Sequence, residues 1–484
     1  KKQGGISTII IYLGIALGYI NAAILLPKYF LPEVIGVRTL LVDFASVFQQ
    51  FTLLGLTHVI QRFAPRFQDK NKNAPGLLFI GLIVPITLFI LFGAILNWQE
   101  DAFKSLYIDK SVGFTNYFEL IYPLCFALTL FSIFEVYCRS FFKIATPVFL
   151  KEVLLRLNFT IVILLFVFSF ININQFFHLF VVCYYVNVLI LIIYIATKGK
   201  LSIKPTFKRY TPPLLKEMLS FAGFTFLMSA TSLFVTKIDS FMIGSMIGIN
   251  DVGIYTIAIF IATLVEIPRR GIRQISMPLV SSLTNDKNYD ELKTLHHKVS
   301  MAQLASGFFV FICIISNIHD IYNIIPNGHI YTKGVGVVFF ISLARLGEMA
   351  FGVNTEILLF SDKYKYNLVF SSIFAILAIT SNYLLIPLYG ITGAAIGSFG
   401  SITIVNILKF LFIKKKLNLS PFRKQSIGLI AWIAVNFLIF NYLIHFDLNS
   451  YLNILIKGSL FTLIYFFGIY VFKWIPEMNQ IINS

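Results

Sequence analysis

Polar side chains recur on one face of an otherwise apolar segment near residues 38–57, and they are the first groups in this sequence able to do chemistry. A polar group at membrane depth costs free energy unless it faces protein or water, so such a stripe marks an interior path. Hydroxyls at helical spacing also hold helices together, but the added carboxylate and amide favour a lumen. The stripe consists of Thr39, Asp43, Ser46, Gln50, Thr57 and Gln61.

Two later apolar segments carry similar stripes. For the hydroxyls alone, packing between helices and the lining of a lumen are equally good interpretations. The segment near 218–238 contains Thr225, Ser229, Ser232 and Thr236, and it ends beside Lys237 and Asp239. The next segment contains Thr256, Thr263, Glu266 and Arg270.

Arg345 is the most informative single residue, because it lies in the middle of a 26-residue apolar stretch at 334–359. An arginine at that depth needs a partner or water. Glu348, three residues on, could form a structural ion pair with it on the same helix. We favour a second interpretation, in which the guanidinium is presented to an anionic substrate, since it forks onto phosphate or carboxylate oxygens.

Other charges have simpler interpretations. Glu135 and Arg139 are spaced as an intrahelical pair, which we expect to be structural. Arg269, Arg270 and Arg273 fit the inner end of a span, where they would orient the helix or gather an anionic headgroup. A further charged group is predicted to anchor a helix at the membrane interface, and it contains Lys151, Glu152 and Arg156.

The composition requires that these residues be positioned by membrane-spanning helices. Of 484 residues, 57% are hydrophobic and 13% charged, with a mean hydropathy of +0.82. A soluble chain carries about 25% charged residues, so this protein belongs in lipid and has no room for a large extramembrane catalytic domain. We predict fourteen spans, near 6–26, 38–57, 76–96, 118–138, 149–171, 176–196, 218–238, 247–267, 299–318, 334–359, 366–387, 391–412, 425–444 and 451–472.

The distribution of basic residues supports this number of spans. With the N-terminus inside, 31 of the 39 Lys and Arg residues fall in cytoplasmic connections and 7 in outer ones, leaving Arg345 within a span. A wrong number of helices would disturb that alternation, so we predict both termini in the cytoplasm. The first span follows Lys1 and Lys2 and lacks a small-residue cleavage site, so we expect it to be retained.

A weak repeat suggests two related halves. PEVIGV at 32–37 aligns with NDVGI at 250–254 on Gly36 and Gly253. We predict an all-α polytopic protein with two pseudo-symmetric six-helix lobes and two extra C-terminal helices. Its predicted parts are the N-terminal lobe 1–197, a cytoplasmic linker 198–217, the C-terminal lobe 218–416, and 417–484 for the last two helices.

Several kinds of chemistry find no support in the sequence. It has no phosphate-binding loop for ATP, no catalytic triad and no cysteine spacing that suits a metal or a disulfide. We therefore expect no enzymatic activity, no cofactor, no metal site and no nucleic-acid partner. A coupling ion, H⁺ or Na⁺, stays open because nothing singles out its site.

An ordered set of loose motifs resembles the multidrug/oligosaccharidyl-lipid/polysaccharide (MOP) exporter superfamily, and within it the Wzx-like polysaccharide flippases. The motifs are GGISTIIIYLGIALGYINAAILLPKYFLPEVIGV at 4–37, TKIDSFMIGSMIGINDVGIYTIA at 236–258, PRRGIRQISMPLVSSL at 268–283 and NYLLIPLYGITGAAIGSFGS at 382–401. The sibling branch that carries lipid II has an arginine–aspartate pair in its first span. Here the notable polar side chains of that span are only Tyr12, Tyr19 and Asn21, which counts against lipid II as the substrate.

The resemblance implies a MATE-like fold that alternates between inward and outward openings. It further implies a flippase that moves undecaprenyl-diphosphate-linked oligosaccharide across the bacterial cytoplasmic membrane, for surface polysaccharide synthesis. The substrate would bind a basic central cavity, for which we select Asp43, Gln50, Lys237, Asp239, Arg270 and Arg345. Secondary candidates are Thr39, Ser46, Thr57, Gln61, Thr236, Thr263, Glu266 and Glu348.

Two alternatives remain open at this point. One is an ion-coupled exporter of drugs or organic cations from the same superfamily, which would need acidic groups deep in the N-terminal lobe. The other is a scaffold, without transport, in a glycan-assembly complex. We expect a monomer whose partners are the lipid-linked glycan, membrane lipids and, as further candidates, a polysaccharide polymerase or other assembly proteins.

Overall fold

The computed structural model describes residues 2–67, 76–141, 145–199, 201, 203, 205, 210–444 and 448–472. Helices make up the regular structure of these residues, and no strand occurs among them. Parts of the predicted linker 198–217 lie outside the described residues, as do Lys1 and residues 473–484.

The chain contacts divide the protein into two compact units, 1–253 and 254–484. The predicted lobe boundaries are not tested by this division and stay a prediction. The α-helices of the first unit are α1 (Lys2–Tyr19), α2 (Leu26–Tyr29), α3 (Pro32–Leu53), α4 (Leu56–Phe67), α5 (Leu77–Trp98), α6 (Glu100–Ser105), α7 (Val112–Thr115), α8 (Ile121–Ser140), α9 (Ala145–Phe149), α10 (Leu155–Val167), α11 (Ile173–Thr197), α12 (Pro212–Met246) and the start of α13 (Ile249–Ala262).

The second unit continues from α13. Its further α-helices are α14 (Ile267–Asn285), α15 (Tyr289–Ile315), α16 (Ile318–Ile324), α17 (Gly328–Tyr331), α18 (Val335–Ala350), α19 (Asn354–Phe360), α20 (Tyr366–Leu417), α21 (Lys424–Leu438) and α22 (Ser450–Phe472). Short 3₁₀ or π-helical turns join several of them, at Ile20–Leu25, Phe118–Leu120, Leu150–Leu154, Thr263–Glu266, Thr332–Gly334 and Ile439–Leu443.

Each of the fourteen predicted spans is mostly helical, although the second is broken at 54–55 and the tenth at 351–353. Eleven helical stretches of the described residues are long and apolar enough to cross a bilayer, and a shorter one covers Gln425–Asn441. The fifth span, which includes α10, is interrupted by the π-helical turn Leu150–Leu154. One of the eleven, α20, accounts for two predicted spans because the chain reverses within it. The structure is therefore an all-α, multi-pass membrane fold consistent with fourteen helices.

The reversal in α20 occurs at Gly390, whose φ of 59° and ψ of −139° are not helical. The helical segments before and after Gly390 pack side by side. A Cβ on Gly393 would come within 2.1 Å of the Leu385 carbonyl oxygen, and one on Gly397 within 2.7 Å of the Ser381 hydroxyl. Gly390 supplies a positive φ that other residues adopt only at a cost.

Helix α3 is the central element of the first unit. It packs against α8, α12 and α5, while α11 packs against α8 and α10. In the second unit α18 packs against α15 and α20, and α14 packs against α15 and α19. Each unit thus places at least one charged helix, α3 or α18, among several apolar neighbours.

The second span differs from its prediction. A helix through 38–57 was expected, but α3 ends at Leu53 because Leu54 and Gly55 both have positive φ, 41° and 76°. The chain restarts as α4, an amphipathic helix with its apolar face buried. The polar stripe from Thr39 to Gln61 therefore does not keep one helical phase.

Candidate functional site

In the first unit, Asp43 of α3 forms an ion pair with Lys237 of α12. The Nζ atom of Lys237 lies 2.6 Å from Oδ1 of Asp43, whose side chain is 4% exposed, against 30% for Lys237. Ser240, one turn further along α12, also hydrogen-bonds the Asp43 carboxylate. Two residues selected separately from the sequence are thus direct partners, and the carboxylate is already neutralised.

The remaining polar residues of the stripe, on α3 and α4, lie in different surroundings and do not form one lining. Thr39 Oγ1 donates to the Ile35 carbonyl 2.8 Å away, within its own helix. Ser46 lines a cavity inside this unit, and Gln50 is half-buried. Beyond the break, Thr57 is half-buried and Gln61 is exposed.

The hydroxyl groups of the α12 stripe mostly donate hydrogen bonds to backbone carbonyls of α12 itself. Thr225 Oγ1 donates to the Phe221 carbonyl at 2.8 Å, and Thr236 Oγ1 donates to that of Leu233 at 2.7 Å. Ser229 differs, because its Oγ lies 3.2 Å from Nε2 of His58 on α4. The buried Asp239 lies two residues beyond Lys237 and faces a different side of α12.

The second unit contains a cluster of four charged side chains, which we call the Arg345 cluster: Arg345, Glu348, Glu266 and Arg269. Arg345 Nη1 donates to Glu348 Oε2 at 3.0 Å, so the intrahelical pair expected as one alternative is present. Arg269 Nη1, from α14, donates to the same Glu348 oxygen at 3.2 Å. Glu266 completes the cluster, with its oxygens 3.6 Å from Arg269 Nη1 and 3.8 Å from Arg345 Nε.

More basic groups adjoin the Arg345 cluster. Arg273 Nε, one turn from Arg269, lies 2.6 Å from Oε1 of the buried Glu356 on α19. Lys409 of α20 donates to the Thr355 hydroxyl at 3.3 Å and interacts electrostatically with Glu348 and Glu356. Four cations thus accompany three carboxylates, and the excess positive charge lies on helices that cross the membrane.

Of the adjacent residues Arg269 and Arg270, the sequence analysis selected Arg270 as a site residue, but the structure places Arg269 at the site. Arg269 belongs to the Arg345 cluster, whereas the neighbouring Arg270 is exposed and outside it. The signal for Arg269 was its spacing from Glu266, which places both on one side of a helix. Thr263 Oγ1 donates to the Phe260 carbonyl at 2.9 Å, within its own helix.

Two deep carboxylates of the first unit, those of Asp43 and Glu135, are each paired with a base. Besides Asp43, the buried Glu135 accepts from Arg139 Nη2, one turn further along α8, at 2.5 Å. A site that binds protons or sodium needs carboxylates that are not already neutralised by a base. Neither of these side chains has that freedom in this conformation.

Known proteins are similar to this chain in sequence or in fold. It is 23% identical to an uncharacterised membrane protein of Methanocaldococcus jannaschii over 485 residues, 93% of this chain and 91% of that protein. The fold is similar to the lipid II flippase MurJ in its inward closed conformation, with a TM-score of 0.72, 15% identity, and 96% and 98% of the two chains covered.

A second structural neighbour is an inward-facing multidrug resistance MATE transporter of the MOP superfamily, with a TM-score of 0.65 and 13% identity over 84% of this chain and 94% of that one. At such identities the likeness concerns the fold. The family model described as polysaccharide biosynthesis protein matches residues 2–282, more than half of the chain. With the fold of the MOP superfamily and the Wzx-like motifs noted above, the chain belongs to the polysaccharide biosynthesis protein family.

Proposed function

We propose that this protein is a flippase for lipid-linked oligosaccharides carried on undecaprenyl diphosphate. The observation that carries the proposal is the Arg345 cluster with the adjoining Arg273, Lys409 and Glu356, which together place four cations and three carboxylates in the second unit of a polysaccharide biosynthesis protein. Charge in the membrane interior is costly and usually marks a substrate path. A diphosphate or an acidic sugar supplies the anion that such an excess of positive charge would bind.

The Arg345 cluster suggests how a substrate could be bound and released. Glu348 and Glu266 orient the guanidinium groups and balance their charge when no substrate is present. The Arg345 side chain is 28% exposed, so an arriving diphosphate can compete with these carboxylates for it. Exchange of one anionic partner for another costs less than uncovering a bare charge, which favours reversible binding.

The transport cycle in this proposal is alternating access within the bacterial cytoplasmic membrane, with both termini in the cytoplasm. The chain uses no cofactor, acts as a monomer and catalyses no covalent step. Its substrate is an oligosaccharide intermediate of surface polysaccharide synthesis rather than lipid II. Asn21 supports that exclusion, because the first span here carries a neutral amide that bonds to the Arg156 carbonyl and to Thr160, not an arginine–aspartate pair.

The exporter alternative is less well supported. Cation export coupled to H⁺ or Na⁺ requires ionisable carboxylates that exchange ions, and two deep ones in the first unit, Asp43 and Glu135, are held by Lys237 and Arg139. The scaffold alternative differs in what it requires of the Arg345 cluster. A scaffold would keep working when those charges are replaced without loss of folding.

The proposal is tested in cells that lack this gene. Lipid-linked oligosaccharides are extracted, and the amount on the cytoplasmic leaflet is measured together with surface polysaccharide and sensitivity to cationic drugs. We expect one glycan to accumulate inside while surface polysaccharide is lost, with both effects reversed by the wild-type gene. Normal glycans together with raised drug sensitivity would instead identify an exporter.

A further inference from the structure

A cavity of about 380 Å³ lies inside the first unit, separate from the Asp43–Lys237 pair and from the Arg345 cluster. Its walls come from α3, α8, α10, α11 and the turn before α10. We call it the N-unit cavity. Its lining includes the polar or charged side chains of Arg38, Ser46, Gln49, Ser132, Lys151, Glu152, Arg156, Tyr184 and Asn187.

Arg38 is the unusual member of this lining. It lies on α3, within a candidate membrane span, and makes no ion pair or hydrogen bond with any described residue. Its guanidinium carbon instead lies 4.5 Å from the ring centre of Phe159 and 5.2 Å from that of Phe180. Cation–π contacts of this kind stabilise a cation without using its N–H groups as hydrogen-bond donors.

The nearby carboxylates form no ion pair with Arg38. Asp43, five residues along α3, attracts Arg38 electrostatically but makes its ion pair with Lys237, at 2.6 Å. Glu152 is the only acidic residue in the lining, and it is held by Arg156 Nη2 at 3.0 Å. An arginine at membrane depth is costly without an ion-pair partner, and no described residue of the N-unit cavity supplies one for Arg38. A bound anion would fill that role.

The rest of the lining suits an anion as well. Lys151 adds a second cation that forms no ion pair with a described residue, and the hydroxyls of Ser46 and Tyr184 make no hydrogen bond with described residues. Ser132 Oγ accepts from Gln49, which leaves its own proton free to donate. Hydroxyl groups rotate to meet a ligand, so they can supply donors around a tetrahedral oxyanion.

The sequence alone gave these residues a different role. Lys151, Glu152 and Arg156 were interpreted as anchors at the membrane interface, but in the structure they line a cavity. The first span closes this region: Gly14 lies against the Glu152 backbone and Gly18 against the Arg156 guanidinium. Close packing by these glycines holds the Glu152–Arg156 pair in place.

We propose that the N-unit cavity binds an oxyanion of the phosphate type, with the guanidinium edge of Arg38 as its main ligand. A volume of about 380 Å³ is comparable with small-molecule sites and large enough for a phosphate with part of its hydration. The phosphate group comes either from free inorganic phosphate or from the headgroup of an anionic phospholipid such as phosphatidylglycerol. The site is distinct from the proposed flipping site and does not depend on it.

The test uses the full chain in nanodiscs of neutral phosphatidylcholine. Binding of radiolabelled inorganic phosphate is measured by equilibrium dialysis, and thermal unfolding is measured with phosphate or with chloride at equal ionic strength. A parallel sample in nanodiscs with phosphatidylglycerol is examined by native mass spectrometry for retained lipid. Free phosphate binding in neutral nanodiscs identifies the small ion, whereas retention of phosphatidylglycerol alone identifies the headgroup.

The variants make the assignment specific to Arg38. We expect Arg38→Gln to weaken whichever ligand binds by about tenfold or more, and Arg38→Lys to weaken it less, because charge-assisted bonds are lost or kept. Arg62→Gln, an exposed arginine on α4, is the matched control and should change nothing. If Arg38→Gln does not fold, the double variant Ser46→Ala with Ser132→Ala should still weaken binding by about threefold or more.

The proposal is overturned if neither phosphate nor phosphatidylglycerol binds the wild-type protein. It is equally overturned if both Arg38→Gln and the double serine variant bind as tightly as Arg62→Gln. Neither result bears on the Arg345 cluster, because its residues are unaltered in all of these variants.

Discussion

Gly36 and Gly253, which align in the sequence repeat, each lie against the backbone at the beginning of the other's helix. A Cβ on Gly36 would lie 2.1 Å from the carbonyl oxygen of Ile249, the first residue of α13. A Cβ on Gly253 would lie 2.0 Å from that of Pro32, the first residue of α3. The short repeat thus corresponds to a reciprocal contact that only glycine permits on both sides.

We expect Gly36→Ala and Gly253→Ala each to destabilise the protein by about 2 kcal/mol or more, because backbone atoms cannot move aside as a side chain can. The measurement is thermal unfolding of the purified variants in detergent. Gly223→Ala is the matched control, since nothing lies within 4 Å of its added Cβ. Equal melting temperatures for all three variants would show that the helices separate without cost.

The Asp43–Lys237 pair should be more important for folding than either charge alone. Lys237→Met leaves a buried carboxylate without a partner, and we expect a loss of about 3 kcal/mol. Replacing both residues, Asp43→Asn with Lys237→Met, removes the charge and should restore at least half of that loss. Chemical denaturation of the single and double variants gives the coupling energy directly.

A double variant no more stable than Lys237→Met would contradict this view of the pair. Flipping measured on the same variants separates the two roles. If the double variant is stable but inactive, the charges also serve transport.

The sequence was sufficient for the fold because the information is redundant there. Long apolar segments and the alternation of basic residues both predict the spans, and each predicted span is mostly helical. The exceptions are local and conformational. The break at Leu54–Gly55 depends on two positive φ angles, which neither the hydropathy nor the spacing of polar residues reports.

The candidate site was less predictable because partners come from distant parts of the chain. Glu348 could be inferred as a partner of Arg345 from helical spacing, but the contact of Arg269 with it needs α14 and α18 side by side. Likewise, Arg38 was not among the candidate residues selected from the sequence. Its cavity is formed by helices more than a hundred residues apart in sequence, and no local pattern encodes that.

Arg345 should be required for flipping in the form of a guanidinium. We expect Arg345→Ala to lower the rate of flipping by at least about tenfold, because the forked contact with a phosphate or carboxylate is lost. Arg345→Lys retains the charge without the fork and should be intermediate. The rate is measured in reconstituted vesicles with a lipid-linked oligosaccharide extracted from the deletion strain.

Expression and melting temperature accompany these measurements as controls. Full flipping by a well-folded Arg345→Ala variant would assign this residue a structural role only. It would also remove the observation on which the proposed function depends.

The adjacent residues Arg269 and Arg270 should differ in stability. Arg269→Ala removes one of the two bases that bond Glu348, and we expect a loss of about 2 kcal/mol. Arg270→Ala removes an exposed side chain outside the Arg345 cluster and should change stability by less than about 0.5 kcal/mol. Thermal unfolding of the two variants under identical conditions makes the comparison, and the reverse order would refute the placement of Arg269.

The turn within α20 offers a test of the fourteen-span topology. Gly390 has a φ of 59° and a ψ of −139°, so an alanine there would be strained by about 1–3 kcal/mol. Gly400→Ala, in the same helix with nothing within 4 Å of its added Cβ, should be neutral or slightly stabilising. Unfolding measurements on both variants, with cysteine-accessibility labelling at Tyr389→Cys, test whether the chain turns at the membrane surface. If Gly390→Ala is as stable as Gly400→Ala and position 389 is protected from polar reagents, α20 does not form two spans joined at Gly390.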